Sequence, residues 1–413
     1  MKKPLICLAL AFCLKMDLLA GMRTLAVLPF ANLSKNPSVR WISETFPELL
    51  EDRLRWPGLN VLGREDRLTA FERIGIPYSN ALSKASLIKV GQELDSTLLI
   101  WGDFSLEGSK LKVSASVLDL PNSTLSPELK EEGELVDLQT SCGRLAWQIL
   151  KSLDSSSLPP REAFVARFPV IPNIALENYV RGLLEADRGK QIRFFRQADK
   201  AYPNFVKAIF QLGRIYYQEK DYSTSSLWLQ RVTRLDKDSS EARFLLGLNY
   251  LLMKNYEKAT LEFQQLTQIV PLSEVYSNLA VALSLQGRSE EATTAFHKAL
   301  EGEPSGNDYL FNQAYHSWRT GNFVSAAKDL KEVLSRDEGD AEAHYLLYKC
   351  LQALGRTAEA DTSWSLAKQL NPKFESWESH KQIPDLFRIQ SNFDEVRLRR
   401  LQLEIQALHD DKS

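Results

Sequence analysis

Residues 273–321 read SEVYSNLAVALSLQGRSEEATTAFHKALEGEPSGNDYLFNQAYHSWRTG, and the pattern inside them returns along much of the chain. Ala280 is followed twelve residues later by Ala292, four residues beyond that stands Phe296, and Pro304 precedes Ala314, where the series starts again. Gly247 pairs in the same way with Ala259 and Ala314 with Ala326, and the large residues that follow are Leu229, Phe263, Phe296, Leu330 and Trp364. Gly213 and Gly247 are 34 residues apart, as are Gly287, Gly321 and Gly355 in succession. Such a period, with Pro203, Pro271, Pro304 and Pro372 as stops, describes pairs of helices. The small residues let two helices approach, the bulky ones fill the gap, and proline ends the second helix before the next unit begins. One pair cannot bury its apolar face alone, so the units must stack into an array.

Over residues 173–372 this resembles the tetratricopeptide repeat family, with about six repeats. The first, Asn173 to Pro203, is shorter by about three residues; the fifth has Ser317 where an aromatic or aliphatic residue is usual, and the sixth has Tyr348 in the small position. The resemblance implies an α-solenoid, a right-handed superhelix whose concave wall comes from the first helix of each repeat. Counting the small residue as position eight, positions two, five, nine and twelve face the groove in that family. Carried over, the second repeat supplies Lys207, Phe210, Arg214 and Tyr217, and the third Glu241, Phe244, Leu248 and Leu251. The fifth supplies Asp308, Phe311, Tyr315 and Trp318, and the sixth Glu342, Tyr345, Lys349 and Gln352. Rigid aromatic residues with scattered charges suit an extended or helical peptide, because they bury large areas at small entropic cost. The other reading is that several of them pack against neighbouring helices or lie under the chain's own tail. The family's carboxylate clamp is not reproduced, since Arg214, Leu248 and Val281 occupy the ninth positions.

Upstream the periodicity changes. Thr24 to Phe30 (TLAVLPF) is a short apolar run suited to a strand buried on both faces, and Ser38 to Arg55 carries Trp41, Phe46, Leu49, Leu50 and Leu54 at helical spacing before Pro57-Gly58. Leu59 to Leu62 reads as a strand, Asp66 to Ile74 and Ser83 to Leu94 as helices, and Thr97 to Leu106 with Lys110 to Asp119 as a hairpin around Glu107-Gly108-Ser109. An amphipathic helix from Glu134 to Leu153 closes the region. The order predicts one mixed sheet with helices against it, so that the whole chain is an α+β multidomain protein: an α/β domain, then an all-α superhelix. Ala26 to Ser34 (AVLPFANLS) with Asn36-Pro37, and Val90 to Leu94 followed by Leu98 to Asp103, resemble the two signatures of the TolB-like amino-terminal domain, related in fold to domains of bacterial envelope proteins such as FlgO and CsgG. The resemblance covers about 130 residues, brings no catalytic residues, and implies structural roles for the Asn and Ser after the first strand. The expected divisions are therefore a leader or anchor at 1–21, the TolB-like domain at 22–153, a Pro/Ser linker at 154–172, the repeats at 173–372, and a capping region at 373–413.

Composition narrows the function classes. The chain has 413 residues, 51 Lys plus Arg against 53 Asp plus Glu, a formal charge of −2, 44% hydrophobic and 25% charged residues. That excludes collagen, low-complexity disorder and a polytopic membrane protein, and it argues against a nucleic-acid partner, which needs clustered cations. The histidines His297, His316, His344, His380 and His409 form no metal-binding pair, and GxSxG, GxGxxG and phosphate-loop motifs are missing, so no catalytic residue, metal or cofactor is expected. Cys142 and Cys350 read as buried small hydrophobes; a disulfide between them would need Cα atoms within about 7 Å. Met1-Lys2-Lys3 and the apolar run Pro4 to Leu14 read as an export signal, interrupted by Lys15 and Asp17, with an uncleaved anchor or a start at Met16 or Met22 as alternatives; membrane association is expected only through this segment. Ser391 to Leu408 has a capping signal and an apolar stripe suited to a terminal cap, its Arg397, Arg399 and Arg400 cluster suiting instead a membrane-surface or partner helix. Together these predict a non-enzymatic adaptor that binds a protein or peptide in the repeat groove, periplasmic or envelope-associated, with a cytoplasmic regulator as the alternative.

Overall fold

Among the described residues, seven strands and the helices that cover them come first in the chain. The computed structural model describes residues 23–34, 36–78, 82–153, 157–237, 239–394, 397–398 and 401. They fall into two compact units, the first running to Ala208 and taking in Val396–Ser413, the second from Ile209 to Glu395.

In the first unit, β1 (Arg23–Val27) lies between β3 (Leu59–Val61) and β4 (Leu98–Glu107), parallel to both. Its Leu25, Ala26 and Val27 are fully buried, as the near-continuous apolar run requires. β4 turns into β5 (Lys110–Asp119) as an antiparallel hairpin, and β6 (Thr124–Leu125) and β7 (Leu129–Glu134) pair in turn with β5. The sheet is thus mixed. Val27 stands opposite Ile100 and Ala31, in β2 (Ala31–Asn32), opposite Asp103, so the β1–β2 side carries one more residue than β4. Pro29, which has no N–H to donate, sits in that bulge. Asn32 Oδ1 accepts from the Ser34 N–H at 2.8 Å, and Ser34 Oγ accepts from the Leu106 N–H at 2.7 Å, so both fix the loop after the strand.

Helix α1 (Trp41–Arg53) packs on the sheet through Phe46, whose ring stacks 4.7 Å from Phe30; α2 (Arg64–Arg73) and α3 (Lys84–Glu93) follow. Two elements differ from the sequence reading. The region expected to be helical from Glu134 is strand β7 up to Glu134, and α4 (Leu138–Ser152) starts later, because alternating Lys130, Glu132 and Glu134 can face solvent beside β5. The stretch expected to be a Pro/Ser linker contains the short α5 (Arg161–Val165), which buries Phe164 between Trp56 and Phe168 at 5.9 and 5.4 Å.

The first helical hairpin, α6 (Asn173–Leu184) and α7 (Arg188–Ala201), belongs to this unit, with α6 against α1. Charges buried beneath α1 make the joint. Arg67, with no exposed surface, pairs with Glu51 and, at 3.0 Å, with Glu44; Tyr78 Oη donates to Glu44 at 2.8 Å and Tyr179 Oη, from α6, to Glu48 at 3.0 Å. Arg64 bridges Glu44 at 3.2 Å and the Leu183 carbonyl at 3.0 Å. Burial pushes the Glu48 carboxyl above its ordinary range despite Lys207, whereas at Asp52 burial is outweighed by the Lys207 ammonium and the pKa falls.

The division falls inside α8 (Val206–Gln218), and the second unit holds the rest of that helix from Ile209, then α9 (Tyr222–Leu235), α10 (Ser240–Leu252), α11 (Tyr256–Thr267), α12 (Ser273–Leu285), α13 (Ser289–Gly302), α14 (Asn307–Arg319), α15 (Phe323–Arg336), α16 (Ala341–Ala353) and α17 (Thr357–Leu370), ending in the short α18 (Lys373–His380). The small-against-large pairing operates as the spacing requires. A Cβ on Gly213 would lie 2.6 Å from Leu229, one on Gly247 2.7 Å from the Phe263 ring, and, in the shortened first hairpin, one on Gly182 2.6 Å from Phe195. Gly287, Gly321 and Gly355 serve a second purpose: each turns one helix into the next with φ of +78°, +82° and +72°. Lys220 and Lys254 hold the equivalent left-handed turns at 61° and 60°. In both the glycine and the lysine turns the following N–H reaches back five residues to a helix carbonyl, Arg288 to Leu283 at 3.0 Å and Asp221 to Tyr216 at 2.9 Å.

Candidate functional site

The first helices of successive hairpins α10, α12, α14 and α16 touch one another in sequence and form one shared wall. Along that wall runs the chain's own segment after α18. Lys381, with φ of 50°, ends α18, and the residues up to Asp394 have no regular secondary structure.

Two asparagines hold this segment by its backbone. Asn312 Oδ1 accepts from the Arg388 N–H at 2.7 Å while its Nδ2 donates to the Arg388 carbonyl at 2.8 Å. Asn278 does the same to Gln390, at 2.9 and 2.8 Å. A side-chain amide that takes both bonds of one residue stands in for a neighbouring β-strand, and it can do so at Arg388 and again at Gln390 because alternate residues of an extended chain present their N–H and C=O to the same side. Further on, Glu274 accepts from the Asp394 N–H at 3.2 Å. Both asparagines are fully buried beneath the segment.

Side chains complete the hold. The Arg388 guanidinium lies 3.7 Å from the centre of the Phe311 ring, with Nη2 2.7 Å from Asp340 and 3.4 Å from Glu342 and Nη1 3.1 Å from Asp308. Burial works against this charge, but Asp340, Asp308 and Glu342 outweigh it and raise the pKa. Phe387 meets Tyr315 edge-on at 4.7 Å, Leu386 is buried in the array's core, and the Phe393 ring is 5.1 Å from Phe244.

The residues assigned to the groove from sequence are distributed as follows. Phe244, Leu248, Leu251, Phe311 and Tyr315 are buried, with Phe244, Phe311 and Tyr315 directly under Phe393, Arg388 and Phe387. Tyr345 and Lys349 lie beneath α18 instead: Glu378 accepts from Tyr345 Oη at 2.7 Å and from Lys349 Nζ at 2.9 Å, and the Tyr345 ring stacks 4.8 Å from Phe374. Trp318 stacks on Tyr315 at 5.7 Å and, with Arg319, Phe323, Lys349 and Gln352, lines an open depression of about 670 Å³. Phe210, Arg214 and Tyr217 are half-buried, Arg214 lying 5.9 Å over Phe210 and 3.8 Å from Glu241. Lys207 belongs to the first unit, its Nζ 2.6 Å from Asp52. Asn278 and Asn312 are absent from the sequence-based set. They stand at position six, two before Ala280 and Ala314, and an asparagine recurring 34 residues apart inside an apolar helix was the available signal.

Cys142 and Cys350 are unpaired and buried, and burial pushes the thiols up to about 11 and about 12. Among the described residues no cluster of His, Cys, Asp and Glu is arranged to hold a metal, and no helix is long and apolar enough to cross a membrane. Residues 1–21 and most of the helix expected over 391–408 lie outside the described residues, while Ser391–Asp394 occupy the groove.

Residues 206–239, 278–341 and 318–372 each match a tetratricopeptide repeat family model, so the chain carries tetratricopeptide repeats. It is similar to the peroxisomal targeting signal receptor of Candida glabrata, 28% identical over 149 residues, covering 36% of this chain and 25% of the receptor. The receptor of Saccharomyces cerevisiae is 29% identical over 149 residues, covering 34% and 24%. Anaphase-promoting complex subunit 3 of Schizosaccharomyces pombe is 35% identical over 89 residues, covering 21% and 13%. The chain thus spans about a quarter or less of these relatives' length. Similar solved structures include YrrB, described as a TPR protein with an unusual peptide-binding site (15% identical, 46% of this chain and 98% of that one, TM-score 0.39), and PilF of Pseudomonas aeruginosa (16%, 50% and 98%, TM-score 0.41).

Proposed function

We propose that this protein is a non-enzymatic adaptor whose repeat groove binds an extended segment of a protein partner. Tetratricopeptide repeats act as protein-interaction scaffolds, and the observation that supports a peptide occupant here is the paired hydrogen bonding of Asn312 to Arg388 and Asn278 to Gln390. Bonds to main-chain groups hold any extended sequence, while the pockets between them set preference. Similarity to receptors for a peroxisomal targeting signal accords with peptide binding without identifying this chain's partner. The partner is a protein and not nucleic acid, and the mixed sheet belongs to a TolB-like domain that positions the array in the bacterial cell envelope; the alternative is a cytoplasmic regulator working through the same contacts.

Selection from a displayed library of random peptides against the full chain tests the groove. Clones retained by the wild type and lost with Asn278→Ala and Asn312→Ala together are expected. A library yielding no clone that depends on these asparagines refutes the reading. Fractionation of cells tests the location: processed protein in the periplasm supports the envelope, full-length protein in the cytosol the alternative.

A further inference from the structure

We infer, taking the groove to be a peptide site as proposed above, that it selects segments in which an aromatic residue is followed directly by arginine, and that residues 386–394 are its resident occupant, which an incoming segment must displace.

The selection follows from what surrounds Arg388. Asp308, Asp340 and Glu342 converge from three points of two successive repeats onto the face of Phe311, all within 3.4 Å of one guanidinium. Left without a cation, three carboxylates so close would repel one another. An ammonium supplies charge, but it cannot lie flat on the ring while forking to two carboxylates; a guanidinium does both. The preceding position is set by Tyr315 and Phe296, which meet the Phe387 ring edge-on at 4.7 Å and stacked at 6.2 Å, with the Arg319 guanidinium 5.5 Å from it. The asparagine bonds fix the register, because sliding the chain by one residue would turn the N–H and C=O away from Asn312 and move Arg388 out of the acidic pocket.

Displaceability follows from the kind of contacts. The segment is held by main-chain hydrogen bonds, a cation and single aromatic rings, all of which a separate peptide can supply. The turn at Lys381 leaves only a few residues between α18 and Leu386, so the resident copy competes at high effective concentration.

The test uses the full chain and a fluorescein-labelled synthetic peptide of residues 383–394 (IPDLFRIQSNFD), with binding read by anisotropy. The chain carrying Phe387→Ala and Arg388→Ala, shown folded by circular dichroism, should bind the peptide at least about ten-fold tighter than the wild type, whose groove is filled. Alanine or lysine at the arginine position of the peptide should weaken binding to that variant by about ten-fold or more. Equal affinity of variant and wild type, or indifference to the arginine, overturns the inference. Peptide binding that survives Asn278→Ala with Asn312→Ala overturns the groove reading itself, a separate outcome. If the doubly substituted chain fails to fold, hydrogen exchange of the wild type decides: excess peptide should remove protection from residues 386–390, and unchanged protection refutes displacement.

Discussion

Replacing Asn312 with alanine separates the hold on the resident segment from the stability of the helices around it. Asn312 makes three hydrogen bonds: it accepts from the Arg388 N–H at 2.7 Å, donates to the Arg388 carbonyl at 2.8 Å, and donates to Ser277 Oγ at 3.2 Å. The first two secure the segment at about 1 kcal/mol each, so their loss raises the detached population roughly 30-fold. The third lies within the array; losing it leaves the fully buried Ser277 hydroxyl without that partner and costs the array itself about 1–3 kcal/mol. Hydrogen exchange read by mass spectrometry under native conditions distinguishes the two. The Arg388 amide should exchange roughly 30-fold faster in the variant, while the Arg288 amide, bonded to Leu283 at 3.0 Å in the turn after α12, should change far less. An Arg388 amide as protected in the variant as in the wild type would show that the asparagine does not hold the segment. Equal acceleration at Arg288 would show that the array had opened and would remove the distinction on which the reasoning rests.

Other expectations test the fold and its charges. His316 is buried, with Ser284 Oγ 2.8 Å from Nδ1 and Thr293 Oγ1 3.2 Å from Nε2, and burial lowers its pKa below the ordinary 6.5. Between the lowered value and 6.5 the unfolded chain binds more protons than the native one, so stability is full above 6.5 and falls as pH drops through that window. The urea midpoint should therefore decline less on acidification in His316→Gln than in the wild type, and parallel declines would refute this. Gly247→Ala forces a methyl to within 2.7 Å of the Phe263 ring and should lower stability by about 1–3 kcal/mol, whereas Gly287→Ala meets no atom within 4 Å and loses only about 1–2 kcal/mol to its left-handed backbone. Thermal melts showing no loss for Gly247→Ala would contradict the close packing. Arg67→Met removes the buried cation that Glu44 and Glu51 share and should cost about 3–5 kcal/mol, read as an earlier denaturant transition; an unchanged midpoint would refute the contribution of this buried pairing.

The repeats were legible because one physical constraint recurs: a small residue sits under a large one, as Gly213 with Leu229 and Gly247 with Phe263, although the sixth repeat stacks Tyr348 on Trp364 at 4.9 Å instead. The sheet was legible where strands are buried on both faces, as in β1, and illegible at β7, whose residues alternate between solvent and sheet with charge on the outer side. The joint beneath α1 left no local trace. Glu44, Arg67, Tyr78 and Tyr179 belong to no sequence motif, and only the fold brings their polar groups together. Of the wall residues, aromatic type identified Phe244, Phe311 and Tyr315, but the same type also filled Tyr345, which the array uses to seat α18. The 34-residue recurrence of Asn278 and Asn312 was legible but their role was not, because an amide in an apolar helix does not show its partner until an extended chain lies across it.

A pocket read through side chains alone would accept any ligand of suitable shape, whereas Asn278 and Asn312 demand a backbone extended over three residues, 388–390, in register with an arginine pocket at one end. The resident segment meets all these demands at once, so a competitor matching only the backbone gains nothing over it, and one matching only the arginine leaves two buried asparagines without partners. Apparent affinity is the intrinsic affinity reduced by the fraction of chains whose groove is open. If the asparagine–backbone bonds at Arg388 alone contribute about 2 kcal/mol, that fraction is small, and the filled groove discards weak, partial matches while leaving a partner with the full set of contacts able to enter. Occupancy by its own chain therefore raises the threshold for binding, and it also covers Phe244 and Phe311, which in an empty groove would present aromatic faces to water.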